Sequence, residues 1–357
     1  MLISVDSRTY LLSKVNKLRK ERKIFSIGKL DEKVILSEKS GPQKFLSDLI
    51  TIIEKNNLAK ITFNIFSSDI HLINSGYYSP FWNYYQPKRK EKVILRLDGI
   101  GIDTPNINQD KIRNNLLGLI NKSSLLIFQS QFCKNCFLDL FPSLPPGEVI
   151  INGAKEINNK SKYGRDLFKL IKNQFKGSFF CVAGRFSSRK RIKEVIQQFN
   201  DSDIGNLVVL SDIPHKLRFK NSRIIYLGMI APDAARLIIS KSIALIHFDR
   251  YDWCPYLVIG AIYDQTPVIC SNFGGTPEIT RNNGLILKEF PENIPQTKEG
   301  IEFVKKANFP ERIFKEAISE INFKGFNLDF SKPYKLEETA NEYVRVAKKL
   351  SSYKNSI

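Results

Sequence analysis

A turn rich in cations, from Gly184 to Lys190, follows an apolar run and precedes an amphipathic stretch, so it is predicted to join a strand to a helix. Gly184 lets the backbone approach a ligand closely, and free N–H groups at a helix start favour phosphate. Arg185 can hold two phosphate oxygens at once, and Lys190 adds a point charge. The turn is a candidate diphosphate site, although a solvated basic helix end has the same composition.

Two further turns follow predicted strands. In the segment 271–278 (SNFGGTPE), Gly274 and Gly275 offer bare N–H groups to an anion, or simply form a bend. In the other turn, Asp252 precedes a predicted helix, and its carboxylate can accept hydrogen bonds from sugar hydroxyls. Ligands of open parallel sheets bind beyond the carboxyl ends of the strands, so these turns are candidate binding loops.

Such turns need a sheet to position them, and apolar runs along the chain predict one. Strands are predicted at 33–38, 60–66, 92–97, 125–129 and 148–151 in the first half, and at 178–183, 207–210, 224–227, 243–248 and 266–271 in the second. Amphipathic stretches alternate with them, which favours an α/β fold with doubly wound parallel sheets. A polar stretch after Gly153, rich in Lys and Asn, is typical of an interdomain linker.

The chain is strongly basic, with a formal net charge of +19 from 55 Lys and Arg against 36 Asp and Glu. Such a surplus attracts polyanions such as nucleic acid, anionic lipid or phosphorylated substrates, but a compositional bias towards Lys, Asn and Ile explains it equally well. Residues 7–23 are predicted to form a basic helix, which either lies on an anionic membrane surface or packs on the first domain by one apolar stripe.

The spacing of cysteines and acids indicates no metal site. Cys133 and Cys136 form a C-x-x-C pair among five Cys, but no second pair or adjacent His completes a zinc site, so reduced, buried thiols are expected. Asp201 and Asp203 look like a metal-binding D-x-D but are expected in a surface loop. No apolar stretch of about 18 residues and no signal peptide is evident, so we expect a cytoplasmic protein.

In order and spacing, the three turns resemble the retaining glycosyltransferases of family 4, which have the GT-B fold. The family pattern is a G-R-(x)4-K turn, then an acidic residue followed by E-A-(x)4-T-P-V, then G-G-x-P-E. The corresponding segments here are 184–190, 252–268 and 274–278. A bacterial branch that builds surface polysaccharides is similar at segments 96–99, 128–130 and 151–153.

The resemblance implies two Rossmann-like doubly wound domains facing a cleft, an acceptor-side domain over 1–155 and a nucleotide-sugar-binding domain over 156–334. The C-terminal helix, 335–357, would cross back to the first domain. The implied activity is transfer of a hexose, with retention at the anomeric carbon, from a nucleotide-diphosphate sugar to a lipid-linked or polysaccharide acceptor in surface glycan synthesis. No cofactor and no dedicated metal are implied.

The resemblance also assigns roles to single residues. Arg185 and Lys190 become both donor-binding and catalytic, because cations aimed at the leaving diphosphate stabilise the transition state. Asp252 stands for the first acid of the family's paired-acid motif. The other donor-binding positions would lie near the phosphates or the transferred sugar, and they are Gly184, Gly274, Gly275, Thr276 and Glu278.

Two positions depart from the family pattern. The second acid, which usually holds the donor ribose, falls on Gly260, and Asp264 one turn later is a candidate replacement. If the change reflects decay of the site, the protein is a catalytically impaired sugar-nucleotide- or glycan-binding relative. In the first half, Asp98 lies where many relatives carry a His, so it is a candidate catalytic residue for sugar contact, or a turn-former before Gly99.

The stretch 76–90 (GYYSPFWNYYQPKRK) is aromatic and then basic, so it can stack on sugar rings or bases, or close over the core. In a glycosyltransferase such a loop would face the acceptor. Nucleic acid is not the expected partner, since ordered phosphate motifs on two α/β halves argue against it. The expected partners are a nucleotide sugar, a glycan or lipid-linked acceptor, and an anionic membrane surface, with the protein peripheral on the inner face of the plasma membrane.

Overall fold

The computed structural model describes residues 1–5, 41–62, 64–68, 70–76, 81–87, 92–99, 109–141, 143–157, 161–321, 328–331 and 334–352. The predicted strand at 33–38 and the predicted basic helix at 7–23 lie outside the described residues, as do parts of the stretch 76–90. Among the described residues, no helix is both long and apolar enough to cross a membrane.

The chain divides into two compact units, Met1–Lys155 together with Tyr334–Ile357, and Glu156–Pro333. Each unit contains a six-stranded parallel sheet whose strands alternate with helices along the sequence. Strands covered on both faces need near-continuous apolar runs, and those runs are what identified most of the strands in the sequence. The predicted α/β fold class, with two doubly wound parallel sheets, is confirmed.

The first unit has the strand order β2-β1-β3-β4-β5-β6. Its strands are β1 (Leu2–Val5), β2 (Lys60–Thr62), β3 (Ile70–Asn74), β4 (Lys92–Leu97), β5 (Leu125–Phe128) and β6 (Gly147–Val149). Its helices are α1 (Gly41–Lys55), α2 (Phe81–Tyr84), α3 (Gln109–Asn121), α4 (Gln131–Leu140) and, from the end of the chain, α12 (Leu336–Ser352).

Helix α12 belongs to the first unit and packs on α1, with the rings of Phe45 and Tyr343 6.3 Å apart. The helix is tied to the end of that unit's sheet, because the Leu336 N–H donates to the Ala154 carbonyl at 2.9 Å. Gly153 permits this approach, since a Cβ there would lie 2.6 Å from the Cα of Leu336. The last helix therefore returns to the first unit, as the predicted fold class had it.

The second unit has the strand order β12-β11-β10-β7-β8-β9. Its strands are β7 (Phe179–Ala183), β8 (Asn206–Leu210), β9 (Ile224–Tyr226), β10 (Leu245–His247), β11 (Val268–Ser271) and β12 (Gly284–Leu287). Its helices are α5 (Lys162–Gln174), α6 (Ile192–Asp201), α7 (Pro232–Ile239), α8 (Tyr256–Tyr263), α9 (Gly275–Thr280), α10 (Lys298–Lys306) and α11 (Glu311–Glu320). The order reverses between the paired strands β7 and β10, and such a switch point is where doubly wound sheets bind ligands.

Three strands were missing from the sequence-based prediction: β1, β3 and β12. In β3, polar residues interrupt the apolar run, yet His71 is fully buried. Its Nδ1 lies 2.6 Å from the hydroxyl of Ser4 in the neighbouring strand β1, so the sheet itself supplies the polar partner. The pattern of either strand taken alone does not show this pairing, which explains why both were missed.

The cysteines and the D-x-D pair lie as the sequence suggested. All five Cys are free and buried, and burial raises the pKa of Cys136 to about 12. Asp201 and Asp203 are exposed at the end of α6, and Asp203 pairs with Arg223 at 3.1 Å.

Candidate functional site

The loops that follow β7 and β10 emerge side by side at the switch point of the second unit, because the two strands are hydrogen-bonded neighbours. The first loop holds the predicted cationic turn, and the second holds Asp252. These loops are far apart in sequence, so only the parallel pairing of β7 with β10 brings them together.

The cationic turn depends on glycine at its first position. Gly184 has φ +136°, a conformation that residues with a Cβ rarely adopt. Its N–H donates to the Leu210 carbonyl at 3.0 Å, and the Phe186 N–H donates to Asp212 Oδ1 at 2.6 Å. A 3-10 turn, Ser188–Lys190, then leads into α6, which begins at Ile192. Hydrogen bonds to residues at and just after the end of β8 therefore fix the backbone of the turn.

Lys190 does not point into solvent. Its Nζ lies 2.7 Å from Asp249 Oδ2 and 3.6 Å from Asp252 Oδ2. Arg189 approaches the same two oxygens, with Nη1 3.8 Å from that of Asp249 and 3.5 Å from that of Asp252. Arg189 Nη1 also donates to the Tyr251 carbonyl at 2.7 Å. Two cations from the loop after β7 thus share two carboxylates from the loop after β10.

His247, the last residue of β10, completes this group. Its side chain is 2% exposed, and Nε2 lies 3.5 Å from Asp249 Oδ2 and 3.6 Å from Asp252 Oδ2. Neither ring nitrogen has a hydrogen-bond partner. We call these five residues the switch-point cluster: Arg189, Lys190, His247, Asp249 and Asp252.

The cluster controls the ionisation of Asp252. Burial by itself would raise the pKa of this carboxyl, but Arg189, His247 and Lys190 together hold the pKa well below its ordinary value. Asp252 is consequently a carboxylate at neutral pH. It can accept hydrogen bonds, but it cannot donate a proton.

The same atoms form a small set of potential metal ligands. One ligand atom each from His247, Asp249 and Asp252 lies within 4.8 Å of the others. No metal site was predicted from the sequence, in which these three residues were not recognised as a group. In the arrangement described here, Lys190 and Arg189 neutralise the two carboxylates.

Arg185 differs from Lys190 in its surroundings. Its side chain is exposed, and no residue in the described part of the chain forms an ion pair or hydrogen bond with its guanidinium. The turn therefore presents one exposed cation, Arg185, and two cations, Arg189 and Lys190, that already pair with carboxylates.

The glycine-rich loop after β11 packs directly against Asp252. The Gly275 N–H donates to the Asp252 carbonyl at 2.7 Å, and the Gly274 N–H donates to Gln296 Oε1 at 3.3 Å. Neither N–H group is bare in this structure, which agrees with the alternative expectation of a glycine bend; the donor-binding roles of Gly274 and Gly275 remain predictions. Glycine at position 274 lets this loop pack closely against the backbone of Asp252. Gly274 has φ +92°, and a Cβ there would lie 3.0 Å from the Asp252 nitrogen.

Two other predicted donor-binding residues lie on the short helix α9, which follows this loop. Thr276 is 3% exposed, and its buried hydroxyl has no hydrogen-bond partner. Glu278 is half-buried, and its carbonyl accepts a hydrogen bond from Arg281. Their donor roles remain predictions.

Gly260 lies in the middle of α8, where its lack of a side chain leaves room for Arg236 of α7. A Cβ at position 260 would lie 3.1 Å from Arg236 Nε. Arg236 binds both oxygens of Asp264, at 2.9 and 2.6 Å. Asp264 lies at the end of α8 remote from the switch point, so a donor role for it would require breaking this pair.

Asp98 lies in the first unit, at the end of β4, and forms an ion pair with the fully buried Arg96. The Arg96 guanidinium also donates to three amide oxygens, those of Asn74, Gln129 and Asn152. The Asp98 carboxylate thus balances a buried charge. Its Oδ2 is buried and has no hydrogen-bond partner, so one acceptor atom remains unused.

A pocket of about 300 Å³ lies at the ends of β11 and β12. Its lining residues are Asn272, Phe273, Ile286, Lys288, Phe290, Pro291, Glu292 and Gln296. No member of the switch-point cluster lines it. It adjoins the glycine-rich loop through Gln296 and lies at the same carboxyl edge of the sheet.

Three residues of the cluster were not predicted from the sequence as site residues: Arg189, His247 and Asp249. One signal could have identified two of them, because His247 and Asp249 are two residues apart at a strand end, and such residues face the same side of a sheet. Arg189 can be recognised as a site residue only in the tertiary structure, where it contacts the carboxylates of Asp249 and Asp252.

No protein-family model matches the chain, and no curated protein sequence matches it. Solved structures do match. HepE from Anabaena, in complex with UDP, is 14% identical with a TM-score of 0.56, over 98% of this chain and 99% of that chain. A glycosyltransferase from Rickettsia africae is 16% identical with a TM-score of 0.54, over 99% of both chains. Sucrose-phosphate synthase from Thermosynechococcus elongatus is 15% identical with a TM-score of 0.53, over 88% of this chain and 77% of that chain. At these identities the likeness shows the fold, which is GT-B as predicted.

Proposed function

We propose that the protein is a glycosyltransferase that transfers a hexose from a nucleotide-diphosphate sugar with retention at the anomeric carbon. The observation that carries the proposal is the position of Lys190. Lys190 lies at the switch point of a doubly wound sheet, with its Nζ 3.6 Å from Asp252 Oδ2. A cation and a carboxylate that can accept hydrogen bonds from hydroxyl groups therefore lie together where such sheets bind ligands.

The donor class follows from the charges. A diphosphate carries several negative charges, and the turn supplies Arg185, which is exposed and without an ion pair among the described residues, and Lys190. HepE, one of the proteins with the same fold, was solved with UDP and with UDP-glucose. A nucleoside diphosphate sugar is therefore the donor we propose for this chain.

In the proposed reaction, negative charge builds on the diphosphate as its bond to the sugar breaks. Arg185 and Lys190 stabilise that charge more strongly in the transition state than in the bound donor, which is the condition for catalysis. Asp252, held as a carboxylate, accepts hydrogen bonds from the hydroxyls of the transferred sugar.

The proposed acceptor substrate is inferred from a residue of the first unit and from the net charge of the chain. Asp98 is the proposed contact for a sugar hydroxyl, through the oxygen that lacks a partner. The net charge of +19 favours an anionic setting. We propose a lipid-linked or polysaccharide acceptor of surface glycan synthesis, in a member of the family 4 type that lies peripherally on the inner membrane face.

The test is transfer of radiolabelled sugar from UDP-glucose and related donors, with the variants Arg185→Ala and Lys190→Ala. Each should lower the rate by about 100-fold or more, whereas Lys193→Ala, which removes an exposed lysine of α6, should have little effect. Unchanged transfer by both turn variants would refute the proposal.

A second candidate, a sugar-nucleotide- or glycan-binding relative without activity, is favoured by Gly260. Arg236 fills the space beside Gly260 and pairs with Asp264, so no free carboxylate stands there. This candidate predicts that UDP raises the melting temperature while neither transfer nor hydrolysis of the donor is detectable.

A further inference from the structure

A third carboxylate, that of Asp212, lies beside the cationic turn on the side away from the switch-point cluster. Asp212 follows β8, and its Oδ1 accepts a hydrogen bond from the Phe186 N–H at 2.6 Å. The end of β8 is tied to the turn a second time, because the Gly184 N–H donates to the Leu210 carbonyl at 3.0 Å. These two hydrogen bonds fix the position of Asp212 relative to the turn.

Asp212 differs from the two acids of the cluster in its charge environment. Asp249 and Asp252 share the cations Arg189 and Lys190, at distances from 2.7 to 3.8 Å. Asp212 is exposed, and no Lys, Arg or His in the described part of the chain forms an ion pair with it. An unpaired carboxylate beside a phosphate site repels the phosphate, so it weakens binding unless the ligand offers it a hydrogen-bond donor.

The strand order indicates which part of a donor would reach Asp212, and this step rests on the proposed function. Strand β7, which the turn follows, lies between β10 and β8. With the diphosphate at the turn and the transferred sugar at Asp252, after β10, the nucleoside extends to the other side, over the end of β8. Strands two places apart in a sheet are separated by about 10 Å, so the diphosphate fits between the two carboxylates.

The part of a nucleoside that is attached to the diphosphate is the ribose, whose hydroxyls are hydrogen-bond donors, whereas an ionised carboxylate only accepts. The carboxylate of Asp264 is engaged elsewhere, since Arg236 donates to both of its oxygens at 2.9 and 2.6 Å.

We propose that Asp212 binds the ribose hydroxyls of the donor and makes the site specific for ribonucleotides. Oδ1 stays on the Phe186 N–H, and Oδ2 accepts hydrogen bonds from the ribose. Because Phe186 belongs to the turn, the same short segment positions the carboxylate for the ribose and the cations for the diphosphate.

The test compares each of UDP, ADP and GDP with its dideoxyribose analogue, which lacks both ribose hydroxyls, by calorimetry on the full chain. The wild type should bind the preferred ribonucleotide at least about tenfold more tightly than its analogue, because hydrogen bonds to a charged group are strong. Asp212→Ala should lose this preference by losing affinity for the ribonucleotide alone. Asp203→Ala, which removes an exposed carboxylate at the end of α6, is the control and should keep the preference of the wild type.

Equal binding of the ribonucleotide and its analogue by the wild type overturns the proposal, and so does an unchanged preference in Asp212→Ala. An equal loss of affinity for both compounds in Asp212→Ala also overturns it, because Asp212 would then act only by holding the turn through Phe186. In these three cases the proposed function stands, since the nucleotide still binds. Failure of the wild type to bind any of the three ribonucleotides refutes the proposed function, and the role of Asp212 with it.

Discussion

Lys190 and Asp249 are 59 residues apart in sequence, and the lysine Nζ donates to the aspartate Oδ2 at 2.7 Å. This ion pair joins the loops after β7 and β10 at the switch point. The lysine that was predicted to bind phosphate is therefore already paired with a carboxylate. In the proposed function, donor binding at Lys190 exchanges the Asp249 carboxylate for a phosphate.

The exchange predicts that Asp249→Asn strengthens UDP binding when divalent metal has been removed with EDTA. The substitution releases Lys190 and removes a carboxylate that repels the diphosphate. A charge pair at about 4 Å is worth about 1 kcal/mol in water, so affinity measured by calorimetry should rise about fivefold. Asp203→Asn, which neutralises a 95% exposed carboxylate, is the control. Weaker UDP binding in Asp249→Asn would show that Asp249 supports the donor instead of competing with it.

Asp264→Asn is expected to leave UDP affinity unchanged, because Asp264 pairs with Arg236 away from the switch point. The Arg236 side chain is 13% exposed and loses its carboxylate partner. Losing a hydrogen-bond partner of a charged buried group costs about 1–3 kcal/mol of stability. Urea unfolding and calorimetry measure the two quantities on the same sample. A large loss of UDP affinity without a loss of stability would restore Asp264 as the shifted family acid.

Asp98→Asn is expected to lower the free energy of unfolding by about 3 kcal/mol, because it leaves the guanidinium of Arg96 buried without a counter-charge. Any loss of transfer must then be compared with this loss of stability at a temperature where the variant is folded. Wild-type stability in the variant would mean that the amide oxygens around Arg96 suffice, and that Asp98 is free for substrate contact.

Glu289→Ala is expected to destabilise the second unit by about 3–5 kcal/mol, since it leaves Arg191 as an unpaired buried charge. Their side chains are 0% and 2% exposed, and Arg191 directly follows Lys190. The matched control is Glu292→Ala, whose carboxylate is 80% exposed and pairs with Lys288; a surface change of this kind costs within about 0.5 kcal/mol. Similar melting temperatures for the two variants would contradict the buried pair.

Alkaline pH should destabilise the protein through its buried thiols. Burial raises the pKa of Cys270 to about 12, whereas a thiol in the unfolded chain titrates near about 8.5. The folded state then keeps a proton that the unfolded state loses, so stability falls as pH rises from the unfolded pKa to the folded one. The slope is about 1.4 kcal/mol per pH unit for each such thiol. Cys270→Ala should make the loss of unfolding free energy between pH 9 and 11 less steep by about 1.4 kcal/mol per pH unit. An unchanged slope would contradict the prediction.

Much of the fold follows from the sequence, because each strand of a covered parallel sheet is itself apolar. Strands β4, β5, β7 and β8 were predicted on that ground. Strands β1 and β3 were missed because they bury the polar residues Ser4 and His71, which hydrogen-bond to each other across the sheet. The sequence of either strand alone does not show this pairing.

For the site, the sequence alone determined that a cationic, glycine-led turn follows a buried strand, because glycine and charge are properties of local composition. Only the tertiary structure decided what the cations meet. Parallel pairing of β7 with β10 brings Asp249, Asp252 and His247 to Lys190, and it leaves Arg185 exposed. Charge interactions depend on distance through space, and the sequence does not contain that distance until the strands pair.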